Sequence, residues 1–311
     1  MIDPIDLERL RTVSIYDRPS KVDVDAFSVP PRKGMSFREF LDCMPNMLGA
    51  GDLMAFSRKI VDARRGGRPF MVGMGAHVIK VGLNPILIEL MEQGVITSIA
   101  QNGACIIHDF ELAACGRTSE DVATALKHGG FGNARETGEF LNGCAREAQR
   151  RGIGLGEAVG EAIYQGDFPY KHLSLSYNAF RLAIPLTVHV AIGTDIVHMH
   201  PSADGGAIGA STHMDFRRFC SLVAELEGGV FANFGSSVLL PEVFLKALAL
   251  VRNLGYDVDR IVTANFDFIR QYRPITNVVQ RPTQFGGEGF SFTGHHEIMI
   301  PLLAAILIEE L

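Results

Sequence analysis

Short apolar runs rich in Val, Ile and Phe recur along this chain, and nothing constrains its fold more. They lie at 69–74, 95–100, 184–192, 229–234 and 260–264. Between them lie segments of helical period at 53–65, 84–93, 119–126, 136–151, 216–226 and 241–254, and a last one at 298–310. In the first of these, Leu53, Phe56, Ile60 and Val61 share one face, and Gly66 and Gly67 follow as terminators. The runs lack polar alternation, so both faces of each strand are buried. Such strands, alternating with helices, imply an α/β fold with a mostly parallel sheet covered by helices on both faces. Residues 1–34, with a polar stretch and then Pro30 and Pro31, read as an N-terminal arm. Residues 35–311 read as a single domain, opening on Ser36 and Glu39 at capping-box spacing.

The bulk properties narrow the function classes. The chain has 311 residues, of which 47% are hydrophobic, enough for one large core. A net charge of -6 without a basic stripe argues against nucleic acid and anionic membrane surfaces as partners. No apolar run reaches transmembrane length, and the start of the sequence lacks the pattern of a signal peptide. The five cysteines, Cys43, Cys105, Cys115, Cys144 and Cys220, are irregularly spaced without a C-x-x-C, which reads as reduced thiols in a cytoplasmic protein.

In open parallel sheets, ligands bind beyond the carboxyl ends of the strands. Those ends are rich in small and polar residues here. Gly73, Gly75, Ala76 and His77 follow the first run, and Asn102, Gly103, His108, Asp109 and Glu111 the second. Asp195, His198, His200 and Asp204 follow the third, Asn233, Ser236 and Ser237 the fourth, and Asn265 and Asp267 the fifth. Small residues let backbone amides approach a phosphate, and a following helix N-terminus favours the anion. Neither G-x-G-x-x-G nor a P-loop is present. Blander readings stand beside these. Asp109, Glu111 and the serines serve equally as helix caps, Glu242 suits a helix dipole, and His189 inside its run reads as core. His198 and His200, with His213, His295 or His296, form the one candidate metal set, on the premise that H-x-H on a strand points both rings one way. A metal-dependent hydrolase is therefore an alternative.

Gly73-Met-Gly-Ala-His-Val-Ile-Lys-Val-Gly82, Asn102-Gly-Ala-Cys-Ile-Ile-His-Asp109, Asp204-Gly-Gly, Asn233-Phe-Gly-Ser-Ser-Val-Leu-Leu240, Ile261-Val-Thr-Ala-Asn265 and His295-His-Glu-Ile-Met-Ile-Pro301 resemble, in order, segments of deoxyhypusine synthase. The stretch from Asn102 also resembles the NAD domain of archaeal ornithine cyclodeaminase. The resemblance implies a Rossmann-like fold with NAD as cofactor, in a homotetramer. It implies chemistry on a small amine or amino acid by transient oxidation at the C–N carbon. It places Gly75, Ala76, His77, Asn102, Gly103, Asp195, Asp204, Asn265 and His295 on the cofactor. His108, Asp109, Glu242, His198 and His200 fall to catalysis. One departure is specific. The family forms an imine on a lysine near its C-terminus, yet residues 273–282 hold none and the last lysine is Lys246. Arg281 stays protonated and cannot replace that amine. The expectation is an NAD enzyme other than a true deoxyhypusine synthase; a non-catalytic nucleotide-binding protein is the remaining alternative.

Overall fold

A computed structural model describes residues 2–311. The chain divides into two compact units, one ending at Asp52 and one running Leu53–Leu311. In the first unit, short 3-10 turns at Leu7–Arg9 and Val24–Ala26 precede helix α1 (Phe37–Cys43). Ser36 Oγ accepts from the Glu39 amide at 3.3 Å and Glu39 Oε2 from the Ser36 amide at 2.6 Å, so the expected capping box is present.

In chain order the remaining elements are α2 (Leu48–Arg65), β1 (Phe70–Met74), α3 (His77–Lys80), α4 (Asn84–Glu92), β2 (Ser98–Asn102), α5 (Gly103–Cys115), α6 (Val122–Leu126), α7 (Arg135–Arg151), α8 (Leu155–Gln165), α9 (Leu175–Arg181) and β3 (Leu186–His189). Then follow α10 (Gly205–Ala224), β4 (Val230–Phe234), α11 (Leu239–Asn253), β5 (Val262–Asp267), α12 (Tyr272–Pro274), a π-helical segment (Ile275–Gln280), β6 (Glu288–Thr293) and α13 (His296–Glu310). The six strands form one sheet in the order β3-β2-β1-β4-β5-β6, and every pairing is parallel. The fold is Rossmann-like α/β, as the buried apolar runs imply. The chain builds outward from β1 to β3, then returns to lay β4 beside β1. The β1/β4 junction is therefore the switch point, the place where open parallel sheets of this kind commonly take a ligand.

Both faces are packed. On one, Phe231 stacks on Phe244 of α11 with centroids 4.0 Å apart. On the other, Phe56 of α2 is fully buried against Phe266, Phe290 and Phe292 at 5.5–5.8 Å. At the β3 edge the next strand is replaced by side chains of α10. Asp215 Oδ2 accepts from the Val188 amide at 2.9 Å and from Gly156 N at 2.8 Å, while Thr212 takes the Val190 amide and donates to Val188 O. An edge satisfied in this way cannot template another strand. Burial pushes the Asp215 carboxyl up to about 7. Among the described residues, no helix is long and apolar enough to cross a membrane.

Several elements differ from the sequence expectation, among them α8 and α9, which lie where no helical segment was read. Residues 103–115 also form a helix that was not read, because Asn102 caps it: Asn102 Oδ1 accepts from the Cys105 amide at 3.2 Å. The helix ahead of β4 begins at Gly205, eleven residues before the expected 216, with Asp204 as its cap. The strand β6 carries two glycine- and glutamate-bearing exposed positions and shows no apolar run.

Candidate functional site

The β1/β4 crevice is built mainly from backbone. Gly75 N donates to Phe234 O at 3.0 Å, and a Cβ on Gly75 would stand 2.8 Å from Gly235 O. Gly235 has φ +68°, and its own Cβ would overlap the His296 imidazole. Only glycine fits either position. His296 is fully buried; its Nε2–H donates to Phe266 O at 3.0 Å, which leaves Nδ1 as an acceptor without a partner. The exposed His77 ring lies 5.5 Å from His296 and 5.7 Å from Phe268. Burial first, and then the neighbouring His296, lowers the His77 pKa. Deeper in the same edge, Asn233 Nδ2 donates to Asn265 Oδ1 at 2.8 Å and to Ser236 O at 2.9 Å, and Asn233 Oδ1 has no partner. Unsatisfied buried acceptors at His296 and Asn233, beside two backbones pressed together, mark a place where polar atoms of a ligand or water complete the structure.

One turn further along α3, Lys80 borders a different kind of space. A cavity of about 200 Å³ is lined by Lys80, His108, Glu111, Glu120, Asp195 and Phe131, among others. Here side chains supply the chemistry. His108 Nδ1 lies 2.6 Å from Thr118 Oγ1, whose hydroxyl donates to Glu111 Oε2 at 2.5 Å; Thr137 donates to Glu111 Oε1 at 3.2 Å. Burial, helped by the Lys80 charge, pushes the His108 imidazole down to about 4. The Asp195 carboxylate lies against Gly103 at the N-terminus of α5, in the space that a Cβ at 103 would take. Burial raises its pKa to about 6.

The residues expected to act together therefore fall into several places. Gly75, Ala76, His77 and Asn265 meet at the switch point. Asn102, Gly103, His108 and Asp195 meet around the start of α5. Asp109 points the other way from His108. Fully buried, it accepts from Ser174 Oγ (2.7 Å), Leu175 N (2.7 Å), Ser176 N (2.9 Å) and Asn84 Nδ2 (3.2 Å), and so ties the start of α9 to α5. That set occupies both oxygens, and Asp109 is a structural staple where a catalytic group was expected. Glu242 is held by Lys246 (3.0 Å), Asn277 (2.8 Å) and Arg273 (3.3 Å), against the π-helical segment, and does not line the His108 cavity. Asp204 caps α10 through Ala207 N at 3.0 Å. His295 is exposed beside Glu297, and its neighbour His296 takes the inward place.

The candidate metal set of the alternative reading does not form. His198 lies on a 3-10 turn (Ile196–Met199), not a strand, and its Nδ1 accepts from the amides of Gly193 and Asp195 at 3.1 and 3.2 Å. His200 turns to Ser202, 2.7 Å away, and packs on Gly138 of α7. His213 borders a separate cavity with Leu250 and Tyr256. Among the described residues, no three His, Cys, Asp or Glu side chains are grouped to hold a metal ion. His189 is core, as one reading of its run had it, bonded to Thr187 at 3.0 Å, with burial pushing it down to about 3.

Sequence reasoning named His296 only as a metal candidate and passed over Lys80, Thr118 and Glu120. The His295–His296 pair gave the right neighbourhood but no phase. Thr118 and Glu120 share the connection after α5, while Lys80 comes from α3, and no spacing signals their meeting.

No protein-family model matches the chain, and no curated protein matches it in sequence. Solved structures do match in fold. A protein assigned as a deoxyhypusine synthase from Entamoeba histolytica superposes with a TM-score of 0.52 at 11% identity, covering 89% of this chain and 94% of that one. AgrE, in a ternary complex with ornithine and NAD+, gives 0.50 at 15% identity, over 83% of this chain and 32% of AgrE. A conserved protein assigned to the LOR/SDH group from Methanococcus maripaludis S2 gives 0.50 at 15% identity, over 83% and 69%. The chain thus spans about a third of AgrE's length. At these identities the likeness establishes a shared Rossmann-like architecture.

Proposed function

We propose that this protein is an NAD-dependent enzyme acting on a small amine or amino acid, with NAD across the β1/β4 switch point and the substrate in the His108 cavity. The observation that carries the reading is the pair of sites on one short helix. His77, at the start of α3, borders a glycine-built crevice, and Lys80, at its end, borders a charged cavity. The crevice fits a dinucleotide. Its backbones approach as only glycine allows, and its buried acceptors Nδ1 of His296 and Oδ1 of Asn233 await donors. Ala76 and His77 would hold the phosphates, with Gly75, whose amide is bonded to Phe234 O, keeping the backbones close; Asn102, whose Oδ1 caps α5 while Nδ2 makes no hydrogen bond, would offer a donor to a ribose. When bound there, NAD supplies reversible oxidation of the carbon that bears nitrogen. The AgrE complex, with an amino acid and NAD+ on the same architecture, supports the pairing.

The reading stops short of deoxyhypusine synthesis. Residues 273–282, where the resembled family has its lysine, fold here as α12 and the π-helical segment, with Arg273 and Arg281 tied to Glu242 and Asn277. Exposed apolar side chains at the same sheet edge, Ile192, Phe268, Ile269 and Tyr272, support the homo-oligomer expected from the sequence. The test is incubation of the purified protein with NAD and a panel of diamines and amino acids, followed by mass spectrometry. The reading requires NAD-dependent conversion of at least one of them, and no aminobutyl transfer to an acceptor protein from spermidine. Failure of every amine to react, or aminobutyl transfer, contradicts it.

A further inference from the structure

The His108 cavity holds more than charge. Thr118 has one hydroxyl hydrogen, and it faces Glu111, a group that accepts. Thr118 Oγ1 must then accept from His108, so the proton of the neutral imidazole sits on Nδ1. Glu111 is itself fixed by Thr137, which is buried. Nε2 of His108 carries the lone pair and makes no hydrogen bond within the protein. We propose that His108 is the proton acceptor of this cavity, locked in the Nδ1–H tautomer by Thr118 and Glu111, with its Nε2 lone pair presented to the ammonium group of a substrate amine. The assignment of the cavity as the substrate site rests on the function proposed above.

The arrangement suits what amine oxidation needs. An ammonium nitrogen has no lone pair, so its carbon cannot be oxidised until one N–H proton leaves. In the step assigned to His108, the substrate N–H bond breaks and an Nε2–H bond forms. The electron pair stays on the substrate nitrogen. The resulting imidazolium still donates from Nδ1 to Thr118, whose hydroxyl points at Glu111, so the new positive charge faces a carboxylate through one bridging oxygen. His108 is thus the catalytic residue; Thr118 and Glu111 are positioning residues that act through it.

Charges on every wall of the cavity bear on this acceptor. Lys80 comes from α3, Glu111 from α5, Glu120 from the segment before α6 and Asp195 from the loop after β3. Glu120 is held by the Gly132 amide at 2.8 Å, and Asp195 is next to the start of α5. Lys80 forms no ion pair, and its charge adds to burial, the larger cause, in holding His108 down. A substrate carboxylate that pairs with Lys80 would cancel this effect and make His108 a stronger base at the moment the amine is in place. The cavity thereby favours ligands that carry both an amine and a carboxylate over amines alone.

The test is 15N NMR of the histidine side chains in the full chain, with His108 assigned from a His108→Gln spectrum. The proposal predicts the Nδ1–H tautomer for His108 in the wild type. Thr118→Ser retains it, and Thr118→Val loses it. Glu111→Gln lets an amide donate to Thr118, which reverses the hydrogen-bond direction and shifts His108 toward the Nε2–H tautomer; this variant keeps the test alive if the valine protein does not fold. Lys80→Met raises the pH at which His108 titrates. An Nε2–H tautomer in the wild type, or an unchanged tautomer in both Thr118→Val and Glu111→Gln, overturns the proposal; so does an unchanged titration in Lys80→Met. Adding ethylammonium should move the Nε2 resonance, and no movement overturns the amine assignment. None of these readouts needs NAD. Loss of the tautomer lock with NAD binding intact contradicts this inference alone, whereas an intact lock in a protein that binds no NAD contradicts the cofactor reading alone.

Discussion

His108 and Asp109 are adjacent in sequence and opposite in every physical respect. Both sit on α5, yet a helix turns 100° per residue, so one faces the cavity and the other the core. Asp109 has four hydrogen bonds and no exposure; His108 has one bond, through Nδ1, and an unpaired nitrogen. The same contrast separates the two halves of the site. The switch-point crevice is set by backbones that only glycine allows to meet. The cavity is set by side chains that can be exchanged without moving the chain. A polar residue near a ligand is thus a site residue only if its bonding capacity is not already spent on the fold.

The contrast makes its largest prediction at Asp109. Asp109→Ala orphans the buried donors of Ser174, Leu175 and Ser176 and should cost about 3–5 kcal/mol, while His108→Ala should cost under about 1 kcal/mol. Chemical denaturation of both variants checks this; equal losses would erase the distinction. Next comes the crevice. Gly235→Val places a branched side chain at φ +68° against His296 and should cost roughly 2–4 kcal/mol. By comparison Lys80→Met on the cavity wall should stay within about 0.5 kcal/mol of wild type.

The third prediction concerns pH at the β3 edge. The Asp215 carboxyl rises from its unfolded value near 3.8 to about 7 in the folded protein. The folded state therefore binds more protons between those values, and this group's stabilisation is present in acid and lost as pH rises toward 7. His108 and His189, pushed down, act in the opposite sense below their unfolded value, but they are common to wild type and variant. Subtracting the stability of Asp215→Asn from that of the wild type should leave a difference that falls by roughly 2 kcal/mol from pH 5 to pH 7. A flat difference would mean that the two amides facing Asp215 hold it ionised throughout.

Much of the fold was legible because burial leaves a linear trace. The runs that became β1, β3, β4 and β5 are mostly apolar and lack polar alternation, as a sheet covered on both faces asks. The strand β6 left no such trace. Its Glu288, Gly289 and Thr293 are exposed at an edge, and only Phe290 and Phe292 are buried. The candidate site was easiest to propose where it is made of one segment, as at Gly75, Ala76 and His77. It was not legible where it is made by convergence. Lys80 reaches His108 from α3, and Thr118 and Glu120 from the connection between α5 and α6; Asp109 looked like a site residue because local sequence does not reveal which carboxylates the core has already claimed.

Binding of a dinucleotide at the glycine-built switch point is open to a direct test. Ala76 is half-buried there, at the N-cap of α3, with no side-chain hydrogen bond to lose. Ala76→Asp would set a carboxylate beside the place proposed for the phosphates without disturbing the core. Titration of NAD into wild type and variant by calorimetry, with thermal unfolding measured alongside, isolates the effect. The account predicts saturable binding to the wild type and at least about tenfold weaker binding to the variant, ~1.4 kcal/mol, at matched unfolding temperature. No binding to the wild type, or equal affinity in the two, would contradict it.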